Sequence, residues 1–151
     1  MPPRTIIVRH PHEKPAKCSV WPLRHRDDLL FLTYPPREVP DLSQYVRLHP
    51  EGPPLTSADA DRGLLLLDGS WRWAEVMHRR FQEVPARSVG PVQTAYPRVS
   101  KTYDDPAGGL ATVEALYAAY RLLGRPTEGL LDHYRWAEEF LRRNGWLESK
   151  G

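Results

Sequence analysis

The sequence predicts an α/β fold, and three observations carry that expectation. Leu64-Leu65-Leu66-Leu67 is far too short to span a bilayer and reads as a strand covered on both faces. It runs directly into Asp68-Gly69-Ser70, which is turn and helix-cap chemistry. Trp73, Val76, Met77 and Phe81 then repeat at i, i+3, i+4 and i+8, one face of a helix whose polar side is Arg72, Glu75, Arg79 and Gln82.

The first half should be strand and loop, because eleven of the sixteen prolines lie within residues 1–54. Thr5–Val8 and Leu29–Tyr34 are the strand candidates, the second stopped by Pro35-Pro36, and Val46–His49 is a short third. Pro50–Pro54 reads as a linker and Ser57–Asp61 as a helical turn. Pro85 stops the helix that follows Asp68, and residues 86–109 carry no clear pattern. Thr112 is expected to cap a helix with Val113, Leu116, Tyr117 and Tyr120 inward and Gly124 at its end. A last helix should open at Pro126, bury Leu130, Tyr134, Ala137 and Leu141, and close at Asn144-Gly145.

At 151 residues the chain has room for one full core. Its 40% hydrophobic and 26% charged residues are those of a globular protein, with no apolar run long enough for a membrane span. Met1–Arg4 is followed by too short an apolar run for a signal peptide, and the lone Cys18 allows no internal disulfide, so a cytoplasmic location is expected. The net charge of +2 does not by itself argue for nucleic acid. Lys14, Lys17, Arg24 and Arg26 nevertheless crowd one stretch with His10, His12 and His25. Those histidines and Cys18 lack the paired spacing of structural zinc ligands, so no metal is expected.

Ligands of open α/β sheets bind beyond the carboxyl ends of strands, which places Asp68 and Trp71 where a small-molecule site belongs. Asp68 is either a cap for backbone N–H groups or a general base. Trp71 is either a core residue or a π-face for a base or a sulfonium. Gly108–Thr112 leads into a helix whose N-terminus suits a carboxylate or phosphate, or is simply a loop and cap.

Read together, these segments resemble a family. Leu67-Asp68-Gly69-Ser70-Trp71-Arg72-Trp73-Ala74-Glu75-Val76-Met77 resembles the signature of the DTW-domain proteins, which are tRNA-uridine aminocarboxypropyltransferases. It is also similar to the Asp-x-Ser-Trp segment of the small-subunit rRNA aminocarboxypropyltransferases of ribosome biogenesis. Leu110–Ala119 matches the Leu-Ser-x-x-Glu-Ala helix start of both branches. Lys17-Cys18-Ser19, Leu130–Trp136 and Phe140–Asn144 are closer to the rRNA branch. Ala95–Val99 departs from that branch's Asn-Pro-x-Asn-Tyr run, and the Ser100–Gly109 loop is closer to the DTW pattern.

The resemblance implies a SPOUT-like knotted domain that binds S-adenosylmethionine, over residues 55–151, with a small N-terminal β-rich subdomain over 1–54. It implies that Asp68 is the catalytic carboxylate and Trp71 a wall of the cofactor pocket. Ser19 would stand where the family's threonine approaches the cofactor. Leu67, Leu110, Ala111 and Thr112 would cradle the nucleoside, largely through backbone. The implied reaction is transfer of the 3-amino-3-carboxypropyl group to a uridine or pseudouridine ring nitrogen in rRNA or tRNA, with Lys14, Lys17, Arg24 and Arg26 on RNA phosphates. Two other readings remain open: a SPOUT-type RNA methyltransferase, and a noncatalytic RNA-binding module on the same scaffold. A monomer is favoured over a homodimer.

Overall fold

The computed structural model describes residues 2–12, 18–96 and 110–147. Five strands form one sheet: β1 (Thr5–Arg9), β2 (Leu29–Thr33), β3 (Tyr45–Leu48), β4 (Gly63–Asp68) and β5 (Ala86–Arg87). They lie in the order β2-β1-β4-β3-β5, and every ladder is parallel. Three α-helices complete it: α1 (Trp71–Arg80), α2 (Thr112–Leu122) and α3 (Ala137–Arg143).

The leucine run explains the layering. Successive strand residues point to opposite faces. Leu64 and Leu66, with Ile7, Leu29 and Val46, bury against Val113, Leu116, Tyr117 and Tyr120 of α2 and Phe140 of α3. Leu65, with Ile6, Val8 and Tyr45, buries against Met77 of α1 and Phe81 at its C-cap. A strand buried on both faces is apolar on both, and β4 carries four consecutive leucines.

This architecture corrects the expected SPOUT-like knotted domain with a small N-terminal β-rich subdomain. The α/β class stands. The N-terminal strands, however, are not a separate β layer: β1 and β3 flank β4 on its two edges and share both of its cores.

Other expectations shift locally. β5 lies in the stretch read as irregular, where two residues are too few to show alternation. The last helix begins at Ala137, not Pro126. Leu130 and Tyr134 are buried as their stripe implied, but in turns. Gly129 sits at φ +81°, outside helical geometry, and Arg26 Nη1 takes the Glu128 carbonyl at 2.8 Å. On α1, Met77 and Phe81 are buried while Val76 faces outward.

Candidate functional site

β1 and β4 are neighbours whose chains leave the sheet in opposite directions, β1 towards β2 and β4 towards β5. That is a topological switch point, where an open sheet splits into a crevice at its carboxyl edge. The two strands end in register, Arg9 opposite Asp68. Asp68 continues the alternation of Leu64 and Leu66, so its carboxylate falls on the α2 face.

The carboxylate is only 4% exposed and ties three segments together. Thr112 Oγ1, at the first position of α2, donates to Oδ1 at 2.6 Å. Cys18 Sγ donates to Oδ2 at 2.8 Å, and Arg9 Nε donates to the same oxygen at 3.3 Å. Burial pushes the Cys18 thiol up to about 11, and the Asp68 charge beside it adds to the shift. Cys18 is therefore a proton donor to Asp68 rather than a thiolate. An ionised carboxylate has about four acceptor positions, two per oxygen. Among the described residues three donors fill all but one, and the vacancy is on Oδ1.

Ser19 lies beside this group. Its Oγ accepts the Val113 amide at 3.0 Å and so serves the α2 N-terminus, leaving its own proton to donate. Thr112 was expected to cap α2, yet Ala111 holds the cap position and the Thr112 hydroxyl goes to Asp68. The Ala111 amide is met instead by Glu114 Oε1 at 2.8 Å. Fully buried, Glu114 also accepts Thr94 Oγ1 at 2.6 Å and the Ala95 amide at 2.8 Å. It pins the chain at 94–95 against the start of α2. The Thr112 amide has no partner among the described residues, so the helix end keeps an N–H for an anion.

The remaining expected site residues fall as follows. Leu67 precedes Asp68 in β4 and is half-buried. Leu110 and Ala111 lead into α2, both half-buried. Trp71 opens α1, but the placement of its side chain lies outside what is described, as do Lys14 and Lys17 altogether. Arg24 is exposed, with its guanidinium 4.9 Å from the Trp21 ring. Arg26 is engaged internally, on Asp28 through Nε and Nη2 at 3.0 Å each and on Glu128. No group of three or more metal-ligating side chains occurs among the described residues.

Sequence reasoning missed Arg9, Cys18 and Glu114 as site builders. Arg9 follows the expected strand Thr5–Val8, and only the parallel register puts it opposite Asp68. Glu114 was visible as an acidic residue in a helix first turn, but not as the anchor of Thr94 and Ala95.

No protein-family model matches the chain, and no curated protein matches it. Among solved structures, the SAM-dependent rRNA:acp-transferase Tsr3 from Vulcanisaeta distributa matches with a TM-score of 0.72 and 26% sequence identity, covering 96% of this chain and 80% of that one. The likeness is thus to an aminocarboxypropyltransferase. It carries neither the DTW nor the SPOUT designation. Among the described residues no helix is long and apolar enough to cross a membrane.

Proposed function

We propose that this protein transfers the 3-amino-3-carboxypropyl group of S-adenosylmethionine to a ring nitrogen of uridine or pseudouridine in rRNA. The observation that carries the reading is the near full-length match to an rRNA:acp-transferase. The rRNA branch is favoured over the DTW branch for the same reason.

The residues present fit the cofactor. S-adenosylmethionine joins an apolar nucleoside, a sulfonium and an amino acid, and supplies an electrophilic methionine Cγ when bound. The Thr112 amide at the α2 N-terminus suits the carboxylate. The open acceptor position on Asp68 suits a cation or an acidic proton. Leu67, Leu110 and Ala111 offer half-buried apolar and backbone surface to the nucleoside. Trp71 enters on the family resemblance as the wall near the sulfonium.

Asp68 would accept the imide proton at Oδ1 as the uracil nitrogen takes the aminocarboxypropyl group, which S-adenosylmethionine would supply with methylthioadenosine as the leaving group. Thr112, Cys18 and Arg9 hold the carboxylate in one orientation, so no reorganisation accompanies proton transfer. Ser19 keeps the α2 N-terminus aligned with Asp68. Lys14, Lys17 and Arg24 contact RNA phosphates, while Arg26 joins them only by exchanging Asp28 or Glu128 for phosphate.

Asp68→Asn tests the assignment. The Thr112 hydroxyl can reverse and accept from the new amide, leaving an oxygen for Cys18 and Arg9, so the site survives without its base. Transfer to rRNA should fall about 10²- to 10⁴-fold with S-adenosylmethionine affinity, read by calorimetry, within a few-fold of wild type. Full activity in this variant removes Asp68 as the base. Chromatography of the products reads the reaction type: methylthioadenosine supports the proposal, S-adenosylhomocysteine replaces it with methyl transfer, and no turnover replaces it with a binding module.

A further inference from the structure

On the α1 face of the same carboxyl edge, opposite the Asp68 carboxylate, four rings lie nearly parallel. His10 stacks on Trp73 with centroids 4.4 Å apart and planes 15° apart. His12 lies 5.2 Å from Trp73 at 29° and 5.1 Å from His10 at 27°. Tyr34 lies 5.8 Å from His10 at 21°. The rings come from the ends of β1 and β2 and the first turn of α1. Other ring pairs mostly cross edge to face: Trp21–Phe31, Tyr96–Trp136, Tyr117–Phe140, Tyr134–Trp136 and Phe140–Trp146 meet at angles between 69° and 81°, and Tyr117–Trp146 is tilted at 41°.

The parallel group is rooted at one end and open at the other. His10 is buried, its Nδ1 accepting the His12 amide at 3.2 Å, while Trp73 and Tyr34 are half-buried and His12 is exposed. Gly69 keeps the root closed: a Cβ there would stand 3.3 Å from both His10 Cβ and Met77 Cε. The Arg72 guanidinium lies 5.3 Å from the Trp73 ring and adds positive charge at the rim. The patch also touches the candidate site, because the His10 amide donates to the Asp68 carbonyl at 2.9 Å.

The geometry points to a stacking platform for an unpaired RNA base flanking the target nucleotide, with His12 and Trp73 as its contact rings and Arg72 on the adjoining phosphate. This rests on the rRNA reading above. A uracil imide is engaged when its base is paired, so the strand must be opened where it is modified. Opening strips neighbouring bases of their stacking partners, and aromatic faces replace them whatever the base. The exposed His12 at the open end of the parallel group leaves room for a further ring to join the stack.

The test compares a short single-stranded oligouridylate with the same strand carrying abasic sites, by fluorescence anisotropy over a range of salt. Wild-type protein should prefer the base-bearing strand by about 5- to 150-fold, the span expected for stacking one base. His12→Ala and Trp73→Leu should lose most of that preference with the salt slope unchanged, and Trp73→Phe should keep it. No preference in wild type, or full preference in both His12→Ala and Trp73→Leu, overturns the platform. His12 is exposed, so its variant carries the test if a Trp73 variant does not fold. Titrating S-adenosylmethionine into the same proteins separates the two readings. Cofactor binding without base preference overturns the platform alone; base preference without cofactor binding supports it and sinks the transferase.

Discussion

Acid should destabilise this protein through one histidine on the α1 face. His78 Nδ1 lies 2.7 Å from Arg47 Nη1, and Arg47 also donates through Nε to the Val84 carbonyl at 3.3 Å. A guanidinium only donates, so His78 Nδ1 accepts and the ring is neutral. Burial, followed by the charges of His49 and Arg47, holds His78 down to about 3. His49 packs edge-on at 4.5 Å and is itself lowered, by burial first and then by Arg47. The unfolded chain protonates His78 near its ordinary value while the folded chain refuses the proton, so the unfolded state gains protons first as pH falls. Stability from this group is complete above about pH 7 and is lost on acidification, by at most about 1.4 kcal/mol per pH unit. From about pH 7.5 to about pH 4.5 the loss attributable to His78 is about 2–3 kcal/mol. Urea unfolding followed by tryptophan fluorescence at both pH values, for wild type and His78→Gln, measures it. The glutamine oxygen can still accept from Arg47 without titrating, so the variant should lose about 2–3 kcal/mol less than wild type over that interval. Carboxylates and the other histidines contribute to both proteins and drop out of the comparison. Equal losses would refute the reasoning.

Two further outcomes follow from the buried site. Glu114→Gln replaces one carboxylate oxygen with an amide that either opposes the Ala95 N–H or displaces the Thr94 and Ala111 donors; it should cost about 2–4 kcal/mol in urea unfolding, and a cost under about 0.5 would show that the carboxylate is dispensable. Cys18, pushed up to about 11, should alkylate in the native protein at least about 300-fold more slowly than an ordinary exposed thiol; labelling at the rate of the urea-unfolded chain would contradict its bond to Asp68.

What was legible in the sequence was whatever repeats locally. The leucine run announced β4 because a doubly covered strand has no polar face to mark its period, and Trp73, Met77 and Phe81 announced α1 at helical spacing. Leu130 and Tyr134 showed the limit: the stripe recorded which residues turn inward, but Gly129 and the Arg26 bond to Glu128 decided against a helix there. β5 left no trace because its two residues are held by pairing with β3 rather than by pattern. At the site, Asp68, Ser19 and Thr112 could be named because each belongs to a short recognisable run. Arg9 could not, since its relation to Asp68 spans 59 residues and exists only through the parallel register of β1 and β4. A position that matters through a distant partner has no local signature.

Asp68 concentrates that difficulty, because the same carboxylate serves fold and chemistry. It joins the end of β1, the Cys18–Ser19 segment and the start of α2, which the Arg9–Cys18 and Val113–Ser19 bonds also hold together. A carboxylate that only ties the fold is met by donors from its own surroundings, as Glu114 is by Thr94, Ala95 and Ala111. Asp68 accepts the same number among the described residues and differs in its place, at the topological switch point and bonded to Thr112, whose amide lacks a partner among the described residues. The proposed reaction gives both a partner: the substrate's imide proton for Asp68, and the S-adenosylmethionine carboxylate for Thr112 N–H. Binding of S-adenosylmethionine should therefore stabilise the fold at the α2 N-terminus, which the Thr112 hydroxyl ties to the base.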